Sequence, residues 1–454
     1  MSGQRGEREA ARPPLMLRAA CVVTGDKVFE PGFVEVEQSL GIVTALGGAA
    51  DAPVPATSVV ETSAPGGQQS QPPTAAGAAG AVGGTAEVDL RVIDLGNRTI
   101  AAGYVDVHVH GGDGAQVNGE DPDEVCESLE RIARFHATHG TTSLLATTVS
   151  DSPERLLMTV QGIARMTRSV RANGEGLGRP GVGGRKSARV VGAHLEGPFI
   201  ARARTGAQDP GELRSPDLAE LDRLIDAADG SLKLITLAPE LPGAFDLIEH
   251  AIAAGIIVAL GHTDADFETA ERAFDAGARH LTHLFNAMPP LHHRRPGVIG
   301  AALRREDVTL ELIADLEHVH PAVIEIIARL APDRIVAVSD STPAAGLGAG
   351  RHRLGTLDVT VSGRRVELAD DPTTLAGSML TIDQAVRNLV TEVGLTLPDA
   401  LRAATLTPGR LVQRGLGQLA PGSPADLVIL EPDLTVAATI VGGLVVHDPS
   451  GLLT

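Results

Sequence analysis

Histidines, one glutamate and one aspartate recur at the ends of short apolar runs in this chain. His108 and His110 close YVDVHVHGG, His194 and Glu196 close VGAHLEGP, and His262 closes IVALGHTDAD. His283 sits in HLTHLFNAM, His318 and His320 in IADLEHVHP, and Asp340 closes IVAVSDS. Imidazole nitrogens and carboxylate oxygens in this company form the ligand set of a divalent ion of the zinc type, with one position left for water. Alternate residues of a strand share a side, so both histidines of the HxH at 108–110 can reach one ion. A single histidine says little, because a hydrogen-bonded core or surface histidine is the commoner case. The weight lies in their recurrence at successive strand ends. His136 and His139 fall on or just beyond a helical pattern, His250 and His280 read as helix-end residues, and His292 and His293 read as loop residues beside Arg294 and Arg295. His194 is left without an assigned role.

What must position these residues is a series of alternating elements. From about residue 98 apolar strand-like runs are followed by amphipathic segments, beginning TIAAGYVDVHVHG, PDEVCESLERIARFHATHG, TTSLLATTVS and SPERLLMTVQGIARMTRSV. Further strand candidates are RVVGAHLEG, LKLITLAPE, IIVALGHTD, HLTHLFNA, LELIADLEHVH, RIVAVSDST and TLAGSML. Alternating strand and helix signals imply a parallel sheet with crossover helices, and a set approaching eight fits a (β/α)8 TIM-like barrel better than an open sheet. In such a barrel the carboxyl ends of the strands share one face, where side chains from distant segments converge.

Short β-branched runs between Gly-Asp, Pro-Gly and Leu-Gly turns over residues 16–50 have the spacing of a β-meander. The same signature returns from Gly415 onward, so the two termini are expected to build one small β-sandwich domain. The expected organisation is 1–97 for the first part of that domain, 98–412 for the barrel and 413–454 for the second part. Residues 51–86, rich in Pro, Gly, Ala, Ser and Gln, are expected to be a disordered insertion. RANGEGLGRPGVGGRKSAR at 171–189 is expected to be a loop insertion into the barrel.

The 454 residues carry 57 acidic and 38 basic side chains, a net charge of −19 that opposes binding to nucleic acid or anionic lipid. An anionic ligand would have to be met locally by placed Arg, His or N–H groups. Two cysteines, Cys21 and Cys126, form no metal-binding or disulfide pattern. No signal-peptide-like stretch opens the sequence and no apolar run reaches 18 residues, so a cytoplasmic location and no membrane partner are expected.

HLEGPF, GHTDAD, HLTHLFNAMPP, RRPGVIGAAL, ADLEHVHP, VSDSTPAAG, TLAGSMLTIDQAVRNL and ADLVILEPDLTV together resemble the N-acetylglucosamine-6-phosphate deacetylases of the amidohydrolase superfamily, from about residue 31 to the C-terminal β segment. The resemblance implies Glu196, His262 and His283 as ligands of the tighter metal and Asp340 as general acid/base. It implies His108 and His110 as ligands of a second ion, with Glu196 bridging. One or two divalent ions per subunit are thus expected, zinc foremost, with iron, manganese or cobalt also compatible with the ligand set. The substrate contacts implied are Asn286 and Ala287 to the sugar phosphate, His318 to the sugar, and Ala207 from the loop after HLEGPF. Leu375 and Ala376 would close the sugar pocket. Arg294 corresponds to an arginine that reaches the phosphate from a neighbouring subunit, which implies a homodimer. The chain departs from the family pattern at Gln208, where a histidine is usual, at Leu316, where ADGxH is usual, and at Ser339, where threonine precedes the aspartate. Gln208 can donate a hydrogen bond to substrate but cannot be cationic.

The reaction implied is hydrolysis of the acetamide of N-acetylglucosamine 6-phosphate. Two other readings stay open: the same chemistry on another acylated compound such as N-acetylgalactosamine 6-phosphate, and a barrel that binds sugar phosphate without hydrolysing it. Retention of Asp340 with all three primary ligands speaks against the second, since a binder needs no proton shuttle.

Overall fold

The structure is a computed structural model that describes residues 13–52, 60–63, 90–171 and 186–453. Eight strands form one sheet in chain order: β1 (Tyr104–Val109), β2 (Thr141–Thr148), β3 (Arg189–Glu196), β4 (Leu232–Leu237), β5 (Ile257–Leu260), β6 (His280–Leu281), β7 (Thr309–Ile313) and β8 (Ile335–Val338). Every neighbouring pair is parallel. Each strand is followed by a helix: α1 (Pro122–Thr138), α2 (Pro153–Arg171), α3 (Leu218–Ala228), α4 (Ala244–Ala253), α5 (Phe267–Asp275), α6 (Gly297–Arg304), α7 (Pro321–Leu330) and α8 (Ile382–Thr391). The ring closes just past β8, where Val109 bridges Ser341, Asp340 N donates to His108 O at 3.0 Å and His110 N donates to Ser341 O at 2.9 Å. Closure of the (β/α)8 barrel is thus made by the backbone of the residues expected to do the chemistry.

Local sequence explains the elements. All eight residues of β2 and of β3 are buried, as strands covered on both faces require. Helix α1 starts where the Asp121 carboxylate accepts from the N–H groups of Asp123 and Glu124, with Pro122 as the first helical residue. It buries Val125, Leu129, Ile132, Ala133, His136 and Ala137, the stripe of a helix laid on a sheet.

Two further sheets stack at the amino end. One orders its strands Ile42–Gly48, Gly32–Glu37, Leu15–Ala19, Arg91–Asp94 and Val60–Ser63. The other runs Leu444–His447, Val436–Val441, Leu427–Leu430, Thr99–Ala102, Cys21–Val23 and Val28–Phe29. Leu17, Val34 and Ile93 of the first pack with Ile100, Ile429 and Ile440 of the second, a sandwich built from both termini. A fully buried pair of Arg189, opening β3, and Asp426 joins the sandwich to the barrel. Gly103 lies where the chain passes from one to the other, and a Cβ there would sit 2.1 Å from Thr142.

Several expectations change at this level. Thr99–Ala102, read as the opening of the barrel, belongs to the sandwich, because its partners are the strands Cys21–Val23 and Leu427–Leu430. Val60–Ser63, inside the stretch read as disordered, forms an edge strand on Arg91–Asp94; residues 53–59 and 64–89 lie outside the described residues, as do 172–185 of the second insertion. TLAGSML is not a strand but a loop held by isolated bridges from Ser378 and Leu375. His280 is not a helix-end residue but the first residue of β6.

A three-stranded antiparallel sheet that the sequence reading lacked, Gly350–Leu354, Leu357–Ser362 and Arg365–Leu368, stands between β8 and α8. Val359, Val361 and Val366 pack against Val149 and Ala344 at the carboxyl end of the barrel.

Candidate metal centre

Glu196 ends β3, while His262 and His283 follow β5 and β6 by two residues each. Asp340 follows β8 by the same interval. His262, His283 and Asp340 have φ of 47°, 27° and 48°, the left-handed region in which a non-glycine residue costs roughly 1–2 kcal/mol. The strain sits where strands turn, at the residues that face the cavity. Gly261 makes one turn possible: a Cβ on it would lie 2.7 Å from Thr236 and 2.8 Å from Thr282.

The ligand atoms meet. His283 Nε2 is 3.0 Å and His262 Nε2 is 3.2 Å from Glu196 Oε1, and the two ring nitrogens are 3.0 Å apart. A second group adjoins it: His108 Nε2 and His110 Nε2 are 3.1 Å apart, and 3.5 and 3.3 Å from Asp340 Oδ1. Glu196 lies between them, with Oε1 3.4 Å from His108 and Oε2 3.3 Å from His110.

The hydrogen bonds on the far side of the rings test whether a cation fits. His262 Nδ1 is 2.8 Å from Arg204 O, His110 Nδ1 is 3.1 Å from Thr147 O and His108 Nδ1 is 3.0 Å from the Glu311 carboxylate. Carbonyl and carboxylate oxygens only accept, so each Nδ1 carries a hydrogen and each Nε2 faces inward, with a lone pair whenever the ring is neutral. Facing lone pairs near 3 Å repel unless a proton or a cation lies between them. The carboxylates of Glu196 and Asp340 supply the matching charge, so both groups fit divalent ions.

The electrostatics agree. Burial alone would raise Glu196, but the imidazoles of His108 and His262 hold it well below the usual carboxylate range. Asp340 is likewise lowered against its burial by His108 and His110. His108 is depressed by burial yet held well above its ordinary value by Glu196, Glu311 and Asp340.

The site opens on a cavity of about 280 Å³ lined by His110, Glu196, His262, His283 and Asp340, together with Ala207, Gln208, Asn286, Ala287, His318, Leu354 and Leu375. Ala376 is fully buried beside that wall rather than part of it. His108 is fully buried beneath it. Arg294 is exposed on the segment after Asn286 and Ala287, its Nη1 2.8 Å from His293 Nε2. No lysine or arginine lines the cavity among the described residues. The Nδ1–H of His318 is directed at Asp315 Oδ2, 2.7 Å away, which leaves Nε2 able to accept from a hydroxyl. Gln208 is already engaged: its oxygen accepts the Ser150 N–H at 2.6 Å and its Nε2 donates to Glu196 Oε2 at 2.7 Å. One of the two Nε2 hydrogens is thereby committed to Glu196, and the other remains for a ligand in the cavity. Leu316 has a φ of 70°, which explains why glycine suits that position.

Two residues escaped the sequence reading. Glu311, in the middle of β7, and His280, opening β6, are both fully buried under the ligands. The available signal was an ionisable residue in the middle of the apolar run TLELI. His194 also lies in this floor, its Nε2 2.7 Å from Thr236 Oγ1.

A closed barrel carrying paired His/carboxylate groups at the carboxyl ends of its strands defines a metal-dependent hydrolase. The chain belongs to the amidohydrolase family, whose profile matches residues 99–446. It is 36% identical over 366 residues to the N-acetylgalactosamine-6-phosphate deacetylase of Escherichia coli O157:H7, spanning 80% of this chain and 92% of that protein. Against the human N-acetylglucosamine-6-phosphate deacetylase it is 37% identical over 362 residues, spanning 77% and 84%. A variant of the Mycobacterium smegmatis N-acetyl-D-glucosamine-6-phosphate deacetylase, solved in complex with N-acetyl-D-glucosamine-6-phosphate, superposes with a TM-score of 0.79 at 33% identity, covering 96% of this chain and all of that one.

Proposed function

We propose that this protein hydrolyses the acetamide of N-acetyl-D-glucosamine 6-phosphate to glucosamine 6-phosphate and acetate, with Asp340 as the proton shuttle. The observation that carries the reading is the meeting of Glu196, His262 and His283, with ligand atoms within 4.8 Å of one another, on a cavity wall shared with Asp340. These three would hold the tighter ion and His108 and His110 a second, with zinc the first choice. The ion, when bound, supplies Lewis acidity for the acetamide carbonyl and for water. Asp340, as its carboxylate, removes the proton from the attacking water. It then returns that proton to the departing nitrogen, since an amide anion is a prohibitive leaving group. His318 accepts from a sugar hydroxyl, and Asn286, Ala287 and Ala207 pack against the ligand, with Leu375 closing over it.

A phosphate needs a cation, and no lysine or arginine lines the cavity among the described residues. Arg294 of a second subunit would supply it, so the active form is a homodimer. Guanidinium geometry suits a bidentate phosphate contact. No described helix is long and apolar enough to cross a membrane, and the cytoplasm is the location that suits an anionic sugar phosphate, which does not cross a bilayer unaided.

Acetate release from N-acetylglucosamine 6-phosphate, with and without a chelator, tests the reading. Metal-dependent release is expected; absence of release under every metal condition overturns this substrate and leaves the galactosamine epimer or a sugar-phosphate binder. The E. coli relative favours one second reading, the N-acetylgalactosamine epimer, and parallel turnover on both sugars ranks them.

A further inference from the structure

Under the two ligand groups lies a carboxylate that touches neither the cavity nor solvent. Glu311 is fully buried, and its oxygens collect three N–H groups from two other strands. Oε1 accepts from His280 Nε2 at 2.7 Å. Oε2 accepts from His108 Nδ1 at 3.0 Å and from the backbone N–H of His283 at 3.1 Å. No lysine or arginine is within ion-pair distance of it among the described residues, where its charged partners are the two imidazoles. An acidic residue at the heart of a barrel, far from water, needs such partners to be tolerated. It is also placed where a ligating imidazole takes its orienting acceptor.

We infer that Glu311 is a positioning residue that makes His108 a ligand of the second ion. By accepting Nδ1–H it fixes the tautomer and aims Nε2 at His110 and Asp340, 3.1 and 3.5 Å away. Its bond to the His283 main chain ties the same carboxylate to the turn that carries a ligand of the first ion, but through the backbone and not through the ring. Loss of Glu311 therefore falls on the second ion far more than on the first. His280 holds the other carboxylate oxygen and keeps Glu311 from rotating away. The inference rests on the metal-centre reading above.

The test is metal stoichiometry on the full-length protein, titrated with Zn²⁺ or Co²⁺ after chelation and scored by ions retained per subunit and by the Co²⁺ absorption spectrum. Wild type is expected to bind two equivalents. Glu311→Leu, which removes the acceptor, is expected to bind one, with the first equivalent little changed and the metal-free protein melting lower, because the buried N–H groups of His280 and His283 lose their acceptor. Glu311→Gln keeps an acceptor but loses the charge, and its second equivalent is expected to weaken by about 10-fold, the lower end of what orienting partners contribute. In a His108→Asn background neither substitution should lower metal content further. Wild-type affinity for the second ion in both Glu311 variants would overturn the inference, as would a wild type that binds one ion only. Should Glu311→Leu fail to fold, unchanged second-site affinity in Glu311→Gln is enough to overturn it. A wild type that binds no ion overturns the metal-centre reading itself, which separates the two failures.

Discussion

The Gln208 amide donates to Glu196 Oε2 at 2.7 Å, opposite the oxygen on which His262 and His283 converge. Its own oxygen is pinned by the Ser150 N–H, so the amide cannot flip without leaving a buried donor unpaired. A residue that in sequence looked like a substrate contact is thereby in contact with Glu196, the proposed metal ligand.

Gln208→Leu follows from this contact. Metal affinity should fall about 10–100-fold, as when an outer partner of a ligand is lost, while KM at saturating metal changes little. A raised KM with normal metal content would assign Gln208 to the substrate instead.

Asp340→Asn should keep the ion held by Glu196, His262 and His283 and keep substrate affinity. Turnover should drop by about 10²–10⁴-fold, the usual worth of a proton shuttle. A near-normal rate would remove the proposed proton path.

Arg294→Ala should raise KM about 10–100-fold for the phosphorylated sugar, the worth of one charged hydrogen-bond partner, and leave an unphosphorylated analogue unaffected. Mixing Arg294→Ala with Asp340→Asn subunits tests the arrangement. If Arg294 serves the neighbouring subunit, hybrids assayed at phosphorylated substrate well below the raised KM exceed the activity of either parent. No recovery on exchange places it in its own subunit's site.

His136 gives a pH prediction at a residue that belongs to neither ligand group, though it contacts Gly111 and Ser341 beside them. It is fully buried on α1, its Nε2 3.1 Å from Gly111 O, and burial pushes its pKa down to about 4. The unfolded chain would titrate near about 6.5 and so binds a proton that the folded protein refuses. Stability is therefore full above that value and is lost as pH falls toward 4, by up to about 1.4 kcal/mol per pH unit from this group. His136→Gln, whose amide can still donate to Gly111, should flatten the fall of the urea midpoint between pH 6.5 and 4.5. Parallel curves for both proteins would contradict the assignment.

The strand periodicity and the polar residues ending each apolar run determined the barrel, and with it one face for Glu196, His262, His283 and Asp340, because strand ends in a parallel ring must share that face. Composition and the paired terminal β signatures determined the sandwich. Only the tertiary structure decided that Thr99–Ala102 belongs to the sandwich and that His280 opens a strand, since both depend on which strand lies alongside. It alone also placed Gln208 on Glu196 and Glu311 under His108. These pairs are separated by 12 and 203 residues in the chain, and local sequence carries no term for a hydrogen bond made only when the ring of strands closes.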